Sequence, residues 1–215
     1  MSNSLSIDQI INAHPDHEQL ILLAGLSVLW LKPQDERART LIEQYRAKEY
    51  PVEALRETAL QLYLVAGFQA SLEAAFQIKE VYGDGLPSNG EHIRDLSTSD
   101  ILKRGYDLQA EVYRANVEKL RANLSGISPE LSEWTVFVGY GLTLSRPGLK
   151  GCWRELFEVA VLAAQDFPRQ LHSHFRGALH LGATRTEVEL ILQVVESILG
   201  PDRVKSAWQM WHRIK

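Results

Sequence analysis

The sequence is short of the residues on which several functional classes depend. Its 215 residues include one cysteine, Cys152, which excludes an internal disulfide framework, a Cys-x-x-Cys redox pair and a multi-cysteine zinc site. No lysine or arginine precedes Lys32, so the N-terminus lacks the basic start of a secretory signal. The longest apolar run, residues 20–31, is well short of the ~20 residues that cross a bilayer. We therefore expect a soluble, cytoplasmic protein with no membrane partner.

Clusters of basic residues and of metal ligands are also missing. The 23 lysines and arginines stand against 27 acidic residues, for a formal net charge of −4 with both signs interspersed, so we expect no nucleic-acid partner. The seven histidines are scattered. The closest pair, His172 and His174, points in nearly opposite directions on a helix, whereas a helical metal pair needs a spacing of three or four. We expect no metal site.

What the sequence does contain is a succession of helix start and stop signals. Thr184 and Glu187 have the spacing of a capping box, and the Gly-Pro pair at 200–201 ends the helix that they begin. Ser128 and Pro129 are suited to the start of another helix. Residues 154–165 are apolar nearly all round, which is typical of a helix buried on most sides. Strand patterns are almost absent, so the predicted fold class is all-α.

Two segments of the chain share one pattern at a separation of 99 residues. We interpret this as an internal duplication of a helical hairpin. Arg56 and Glu57 also match Arg154 and Glu155 if a one-residue gap is allowed. The important difference is that Ala75 occupies the position that matches His174. The matched pairs are Phe68 with Phe167, Leu72 with Leu171, Phe76 with Phe175 and Gly83 with Gly182.

His174 itself lies in the apolar stripe of a predicted helix, in register with Leu171, Phe175 and Ala178. A buried imidazole must find hydrogen-bond partners. The simplest interpretation is a core histidine whose hydrogen bonds are satisfied, and the alternative is a catalytic histidine.

The segment RELFEVAVLAAQ at 154–165, followed by QLHSHFRGALHLGATRTEV at 170–188, resembles the carboxymuconolactone decarboxylase family. This family shares a helical fold with the alkyl hydroperoxide reductase D-like proteins. The resemblance implies a helical bundle of two related repeats. The implied organisation is an N-terminal helical extension at 1–50, a degenerate first repeat at 51–83, a connector and linker helix at 84–127, and a C-terminal repeat at 128–215.

The resemblance also implies a proton-relaying pair, in which the family glutamate matches Glu155 and the family histidine matches His174. A carboxylate in an apolar helix is costly unless it is paired, and an arginine is the alternative partner. Redox-active members carry two cysteines at the positions of Phe167 and Gln170, so we do not expect dithiol peroxide chemistry here. Decarboxylating members tend to have a glutamate at position 170, where glutamine can hydrogen-bond but cannot titrate.

The implied function is a cofactor-free, decarboxylase-like lyase that acts on a small lactone or carboxylic acid. Loss of carbon dioxide leaves an enolate that needs stabilisation and then a proton. In this hypothesis His174 donates the proton, Glu155 orients the imidazole, and Gln170 and Arg146 bind the substrate. For Arg146, the simpler interpretation is a solvated loop residue or a helix C-cap.

An alternative function is a catalytically decayed helical subunit, or a protein that only binds a small ligand. The missing cysteines and second glutamate favour this interpretation. Family members are commonly homo-oligomers, so we expect a homo-oligomer here. The apolar segment at 20–31 and the aromatic pair Trp208 and Trp211 are candidate interfaces, with core packing as the default for both. No G-x-S-x-G motif is present, so we do not expect a serine hydrolase.

Overall fold

The computed structural model describes residues 4–32, 34–86 and 91–214, and within these ranges it contains helices, turns and no strand. The all-α prediction is therefore confirmed. Short 3-10 turns lie at Pro15–His17, Ile93–Asp95 and Arg114–Asn116, and a π-helical segment, Thr135–Leu144, continues α7. The α-helices are α1 (Ile7–Ala13), α2 (Glu18–Leu29), α3 (Arg37–Ala47), α4 (Val52–Tyr82), α5 (Thr98–Tyr113), α6 (Val117–Ile127), α7 (Pro129–Trp134), α8 (Gly151–Gln165), α9 (Pro168–His180), α10 (Arg185–Leu199) and α11 (Pro201–Trp211).

The predicted helix boundaries in the C-terminal half are confirmed. The side chain of Thr184 accepts a hydrogen bond from the backbone N–H of Glu187, whose carboxylate accepts one from the backbone N–H of Thr184. Gly200 ends α10 with a φ of 88°. Ser128 caps α7, and Pro129 is the first residue of that helix. These are local signals, which explains why the sequence is sufficient to find them.

Helix α2 lies at the centre of the core. It packs against α1, α3, α4, α8 and α10, and all of its residues from Leu20 to Leu29 are buried. Of the two possibilities for the apolar segment at 20–31, the default of core packing therefore applies to most of its length, because the chain's own helices cover it. Trp211 is fully buried and Trp208 is half-buried. Among the described helices, none is long and apolar enough to span a membrane.

Helices α8 and α9 form a tight hairpin. Asp166 links them in the left-handed conformation, with a φ of 60°, and Pro168 begins α9. Every residue of α8 from Arg154 to Ala164 is buried, which confirms the prediction that this helix is covered on most sides. Its charged residues therefore enter the interior and must find partners there.

Helix α4 is bent at Gly67, whose φ of 83° and ψ of 172° are not helical. The bend separates a first arm, residues 52–66, from a second arm, residues 68–82. The same offset of 99 residues relates these arms to α8 and to the chain after Asp166. With this offset the alignment contains no one-residue gap. The position that corresponds to Glu155 is therefore that of Arg56 and not that of Glu57. The duplication itself stays a prediction.

Candidate active site

The α8–α9 hairpin brings the predicted acid–base residues together. Glu155 lies in the first half of α8, and His174 lies in the middle of α9. The Oε2 atom of Glu155 is 2.9 Å from Nδ1 of His174. The Glu155 side chain is 1% exposed and the His174 side chain 16%. A buried carboxylate thus has the imidazole as its partner, and the alternative partner, an arginine, does not take this place.

Gly177 makes the close approach of Glu155 to α9 possible. It lies on α9 three residues after His174, on the face that meets α8. A Cβ atom at position 177 would overlap the Oε2 atom of Glu155 and would lie 3.0 Å from Cγ1 of Val112. The absence of a side chain at Gly177 therefore creates the space that the carboxylate occupies beside the imidazole.

The second ring nitrogen of His174 has no hydrogen-bond partner among the described residues. Glu155 holds the imidazole through Nδ1, and the His174 side chain as a whole is 16% exposed. This geometry allows a proton to pass between Nε2 and a molecule that reaches the site.

The charge of His174 is controlled by two carboxylates. Burial lowers its pKa, but the negative charge and hydrogen bond of Glu155, together with the charge of Glu158, outweigh this effect and raise the pKa to about 9. The imidazole is therefore protonated at neutral pH, and it forms an ion pair with Glu155.

Glu158 is a second buried acid that the sequence analysis did not single out as a site residue. Burial raises its pKa to about 7, although the charge of His174 and the hydrogen bond from Gln61 act in the opposite direction. Nε2 of Gln61, on the first arm of α4, donates to Oε1 of Glu158 and to the backbone carbonyl of Arg154, both at 2.8 Å. The spacing of Glu155 and Glu158, three residues apart on a buried helix, was a signal that could have found this acid.

Two tyrosines complete the buried part of the site. The rings of Tyr113, at the end of α5, and Tyr140, in the π-helical segment, meet edge to face with centroids 6.3 Å apart. Burial raises the pKa of both hydroxyls, and the negative charge of Glu155 adds to this effect. Both tyrosines are therefore neutral. Nothing in the sequence pattern marked them, because tyrosine is an ordinary residue on the buried face of a helix.

Arg146 binds a carboxylate of the protein itself. Its Nε and Nη2 atoms donate to the carboxylate of Glu57 at 2.8–3.1 Å, and its side chain is only 12% exposed. The simpler prediction, a solvated loop residue or helix cap, is therefore wrong, because the loop folds back onto α4. The guanidinium does grip a carboxylate, but that carboxylate belongs to the protein.

The partner of Arg146 is shared with a second arginine. Nη2 of Arg154, which is buried, donates to Oε2 of Glu57 at 2.9 Å and to the carbonyl oxygens of Arg146 and Pro147 at 3.0 Å. Nη1 of Arg154 donates to Gln61 at 3.3 Å. Because Gln61 also binds Glu158, hydrogen bonds connect this arginine cluster with the acid–base site.

The remaining predicted site residue, Gln170, is exposed on α9, one turn before His174. Phe167, which occupies the other family cysteine position, is also exposed. Cys152 is half-buried, and burial raises the pKa of its thiol. This environment disfavours the thiolate that redox chemistry needs.

Comparison with known proteins places the site within a family. The model of the carboxymuconolactone decarboxylase family matches residues 129–213. The 4-carboxymuconolactone decarboxylase of Acinetobacter baylyi is 32% identical over 92 residues, which cover 42% of this chain and 69% of that protein. The chain belongs to the carboxymuconolactone decarboxylase family. The region that matches the family model contains Glu155, Glu158 and His174, whereas Glu57 and Gln61 lie outside it.

Proposed function

We propose that this member of the carboxymuconolactone decarboxylase family is an enzyme of the decarboxylase type. It performs cofactor-free acid–base chemistry on a small lactone or carboxylic acid. The observation that carries the proposal is the pair of Glu155 and His174, which meet at 2.9 Å, with the histidine side chain 16% exposed. The name of the Acinetobacter baylyi relative supports the substrate class.

The chemistry needs a proton donor at the reacting carbon. When the bond between that carbon and the carboxylate breaks, carbon dioxide leaves and the bonding electrons pass into an enolate. Protonated His174 then transfers its Nε2 proton to the carbon, and it regains a proton from water. Glu155 is a positioning residue in this scheme. It fixes the orientation of the ring through Nδ1 and stabilises the imidazolium.

The substrate-binding roles of Gln170 and Arg146 stay predictions, and the role of Gln170 has the better support. Gln170 is exposed one turn before His174 on α9, so a molecule that approaches Nε2 would pass its amide. Arg146 uses two of its nitrogens on Glu57, and its role in the reaction therefore has less support. A thiol mechanism has none, because Cys152 has no second cysteine in the chain to resolve a disulfide.

A non-catalytic binding function is the second candidate. It is favoured by the exposed apolar side chains of the second arm of α4, Phe68, Leu72 and Phe76, because a contiguous apolar surface is typical of an interaction site. In this alternative the Glu155–His174 contact has a structural role only. An activity assay distinguishes the two.

The test compares the turnover of 4-carboxymuconolactone by wild type and His174→Gln. Turnover is measured as the release of carbon dioxide. We expect the substitution to lower kcat by about 10²–10⁴-fold, the usual contribution of a positioned acid or base. His172→Gln is the matched control, because His172 is exposed two residues away on the same helix, and its turnover should equal that of wild type. Equal turnover in wild type and His174→Gln would contradict the proposed mechanism.

A further inference from the structure

A cavity of about 710 Å³ lies on the other half of the molecule, between the two arms of α4 and the π-helical segment. Its volume is within the range of small-molecule binding sites. Neither Glu155 nor His174 lines it. Most of its wall is apolar, and its larger apolar side chains include Leu60, Tyr63, Phe68, Leu72, Val138 and Leu142.

The apolar wall continues to the mouth of the cavity. Leu60, Phe68 and Leu72 are 42%, 61% and 54% exposed, so the cavity leaves large apolar side chains in contact with water. Covering these side chains with an apolar ligand would be favourable, by the same effect that drives core formation. Ala75, at the position that matches His174, also lines the cavity, and its small side chain leaves space that a histidine would fill.

The polar end of the cavity carries a guanidinium with donors to spare. Arg146 lines the cavity and binds Glu57 through Nε and Nη2. Among the described residues, no acceptor forms a hydrogen bond with the Nη1 atom of Arg146. A guanidinium can bind a second carboxylate through such a free edge.

Charges of both signs surround this guanidinium. Glu57 is shared by Arg146 and buried Arg154. Glu91, another acid of the lining, is held by Arg104 in a bidentate pair with distances of 2.6 and 3.0 Å. The lining further contains Arg56 and Glu53. Arginines outside the lining thus engage two of its three carboxylates, so that Nη1 of Arg146 is a donor for an anionic ligand.

We propose that this cavity is a second ligand site, which binds an amphipathic monocarboxylate with its carboxylate on Nη1 of Arg146 and its apolar body between the arms of α4. The site goes beyond the proposed function, because neither His174 nor Glu155 lines it. It requires no covalent step. Its ligand is defined by chemistry alone: one anionic group at the end of a compact apolar body.

The first experiment measures the preference for the charged group by calorimetric titration of the full chain. The probes are 4-phenylbutyrate, 4-phenyl-1-butanol and 4-phenylbutylamine, which share one apolar body. We expect the carboxylate to bind roughly tenfold or more tightly than the alcohol, as for a hydrogen bond to a charged group, and the amine to bind most weakly. Equal or tighter binding of the amine would overturn the proposal, as would the absence of binding by the carboxylate up to about 1 mM.

The second experiment locates the site. Ala75→Trp fills the cavity from its wall, and we expect it to weaken 4-phenylbutyrate binding at least about tenfold. Glu73→Trp is the matched control, since Glu73 is exposed on the same arm and does not line the cavity. It should bind like wild type, and circular dichroism should show that both variants are folded. Undiminished binding in a folded Ala75→Trp would overturn the proposal.

The proposed site and the proposed active site can fail separately. We expect His174→Gln to bind 4-phenylbutyrate with the affinity of wild type, whatever its turnover is. Loss of binding in folded His174→Gln would place the ligand at the histidine and overturn the second site. If His174→Gln loses turnover and keeps its affinity for 4-phenylbutyrate, both proposals are supported. If it keeps both turnover and affinity, only the proposed mechanism at His174 is overturned.

Discussion

The bent helix α4, here called the first hairpin, and the α8–α9 hairpin bend at positions 99 residues apart and differ in their chemistry. Gly67 and Asp166 both take positive φ values, of 83° and 60°, 99 residues apart, and so do Gly83 and Gly182, with 82° and 94°. In the C-terminal hairpin Glu155 faces His174. At the same offset, the first hairpin has Arg56 and Ala75. The two segments thus share the positions of their bends, although the backbone differs there, with a ψ of 172° at Gly67 and 52° at Asp166. The comparison teaches that the buried proton donor depends on two side chains, which only the C-terminal hairpin has.

The largest expected effect on stability comes from the arginine cluster around Glu57 of the first hairpin. Glu57→Gln removes the carboxylate that Arg146 and Arg154 share and leaves buried Arg154 without an ionised partner. We expect the free energy of unfolding, measured by urea titration, to fall by about 3–5 kcal/mol. Glu118→Gln is the control, because Glu118 is 80% exposed in its pair with Arg121, and its loss should cost less than about 1 kcal/mol. Equal losses would show that the cluster is not structural.

The next largest effect comes from the close approach in the second hairpin. Gly177→Ala places a Cβ where Oε2 of Glu155 lies, so the carboxylate must move away from the imidazole. We expect a loss of about 1–3 kcal/mol in unfolding free energy and a lower pKa for His174. Gly126→Ala, where a Cβ meets nothing within 4 Å, should be neutral or slightly stabilising in α6. An unchanged pKa of His174 in Gly177→Ala would mean that the approach is not needed.

A third prediction concerns the pH dependence of stability. The pKa of His174 in the folded protein is about 9, above its ordinary value of 6.5, so folding favours the protonated ring. Its contribution is complete below pH 6.5 and is lost as the pH rises through about 9. The free energy of unfolding should therefore fall between pH 6.5 and 9.5 in wild type, and His174→Gln should have a flatter profile. Parallel profiles would contradict the ion pair.

Glu158 extends this prediction to lower pH. Its pKa of about 7 exceeds the ordinary 4.5, so folding favours the neutral acid, and its contribution is lost as the pH rises from 4.5 to about 7. Glu158→Gln should remove this part of the profile, because the amide does not titrate. Retention of the slope in this variant would assign it to another group.

The smallest effect is expected from placing a histidine in the first hairpin. Ala75→His adds an imidazole at an exposed position, so the stability should change by no more than about 0.5 kcal/mol. The introduced histidine should titrate near the ordinary pKa. The double variant Ala75→His with His174→Gln should stay inactive, because the position that corresponds to Glu155 holds Arg56 and not a carboxylate. Restored turnover in this double variant would break the comparison between the hairpins.

The sequence is sufficient for those parts of the structure that local signals determine. Capping residues such as Thr184 and Ser128 act within one turn, and the Glu155–His174 contact joins two helices linked by a tight turn, 19 residues apart. The capping residues could be predicted from residue type and spacing, whereas the pairing of Glu155 with His174 was implied by the family resemblance.

Contacts between distant segments could not be predicted in the same way. Gln61 meets Glu158 across 97 residues, and Arg146 meets Glu57 across 89. Neither glutamine nor a loop arginine carries a pattern that identifies its partner. The apolar segment of α2 could be recognised as one that must be covered, but not which helices of the chain cover it.

The central claim is that Glu155 keeps the accessible imidazole of His174 protonated at neutral pH. An NMR titration of the histidine ring signals tests this claim most directly, with the His174 signal assigned by its loss in His174→Gln. The account predicts a pKa of about 9 for His174 and a marked decrease in Glu155→Gln. A pKa at or below 6.5 in wild type, or one that Glu155→Gln leaves unchanged, would contradict it.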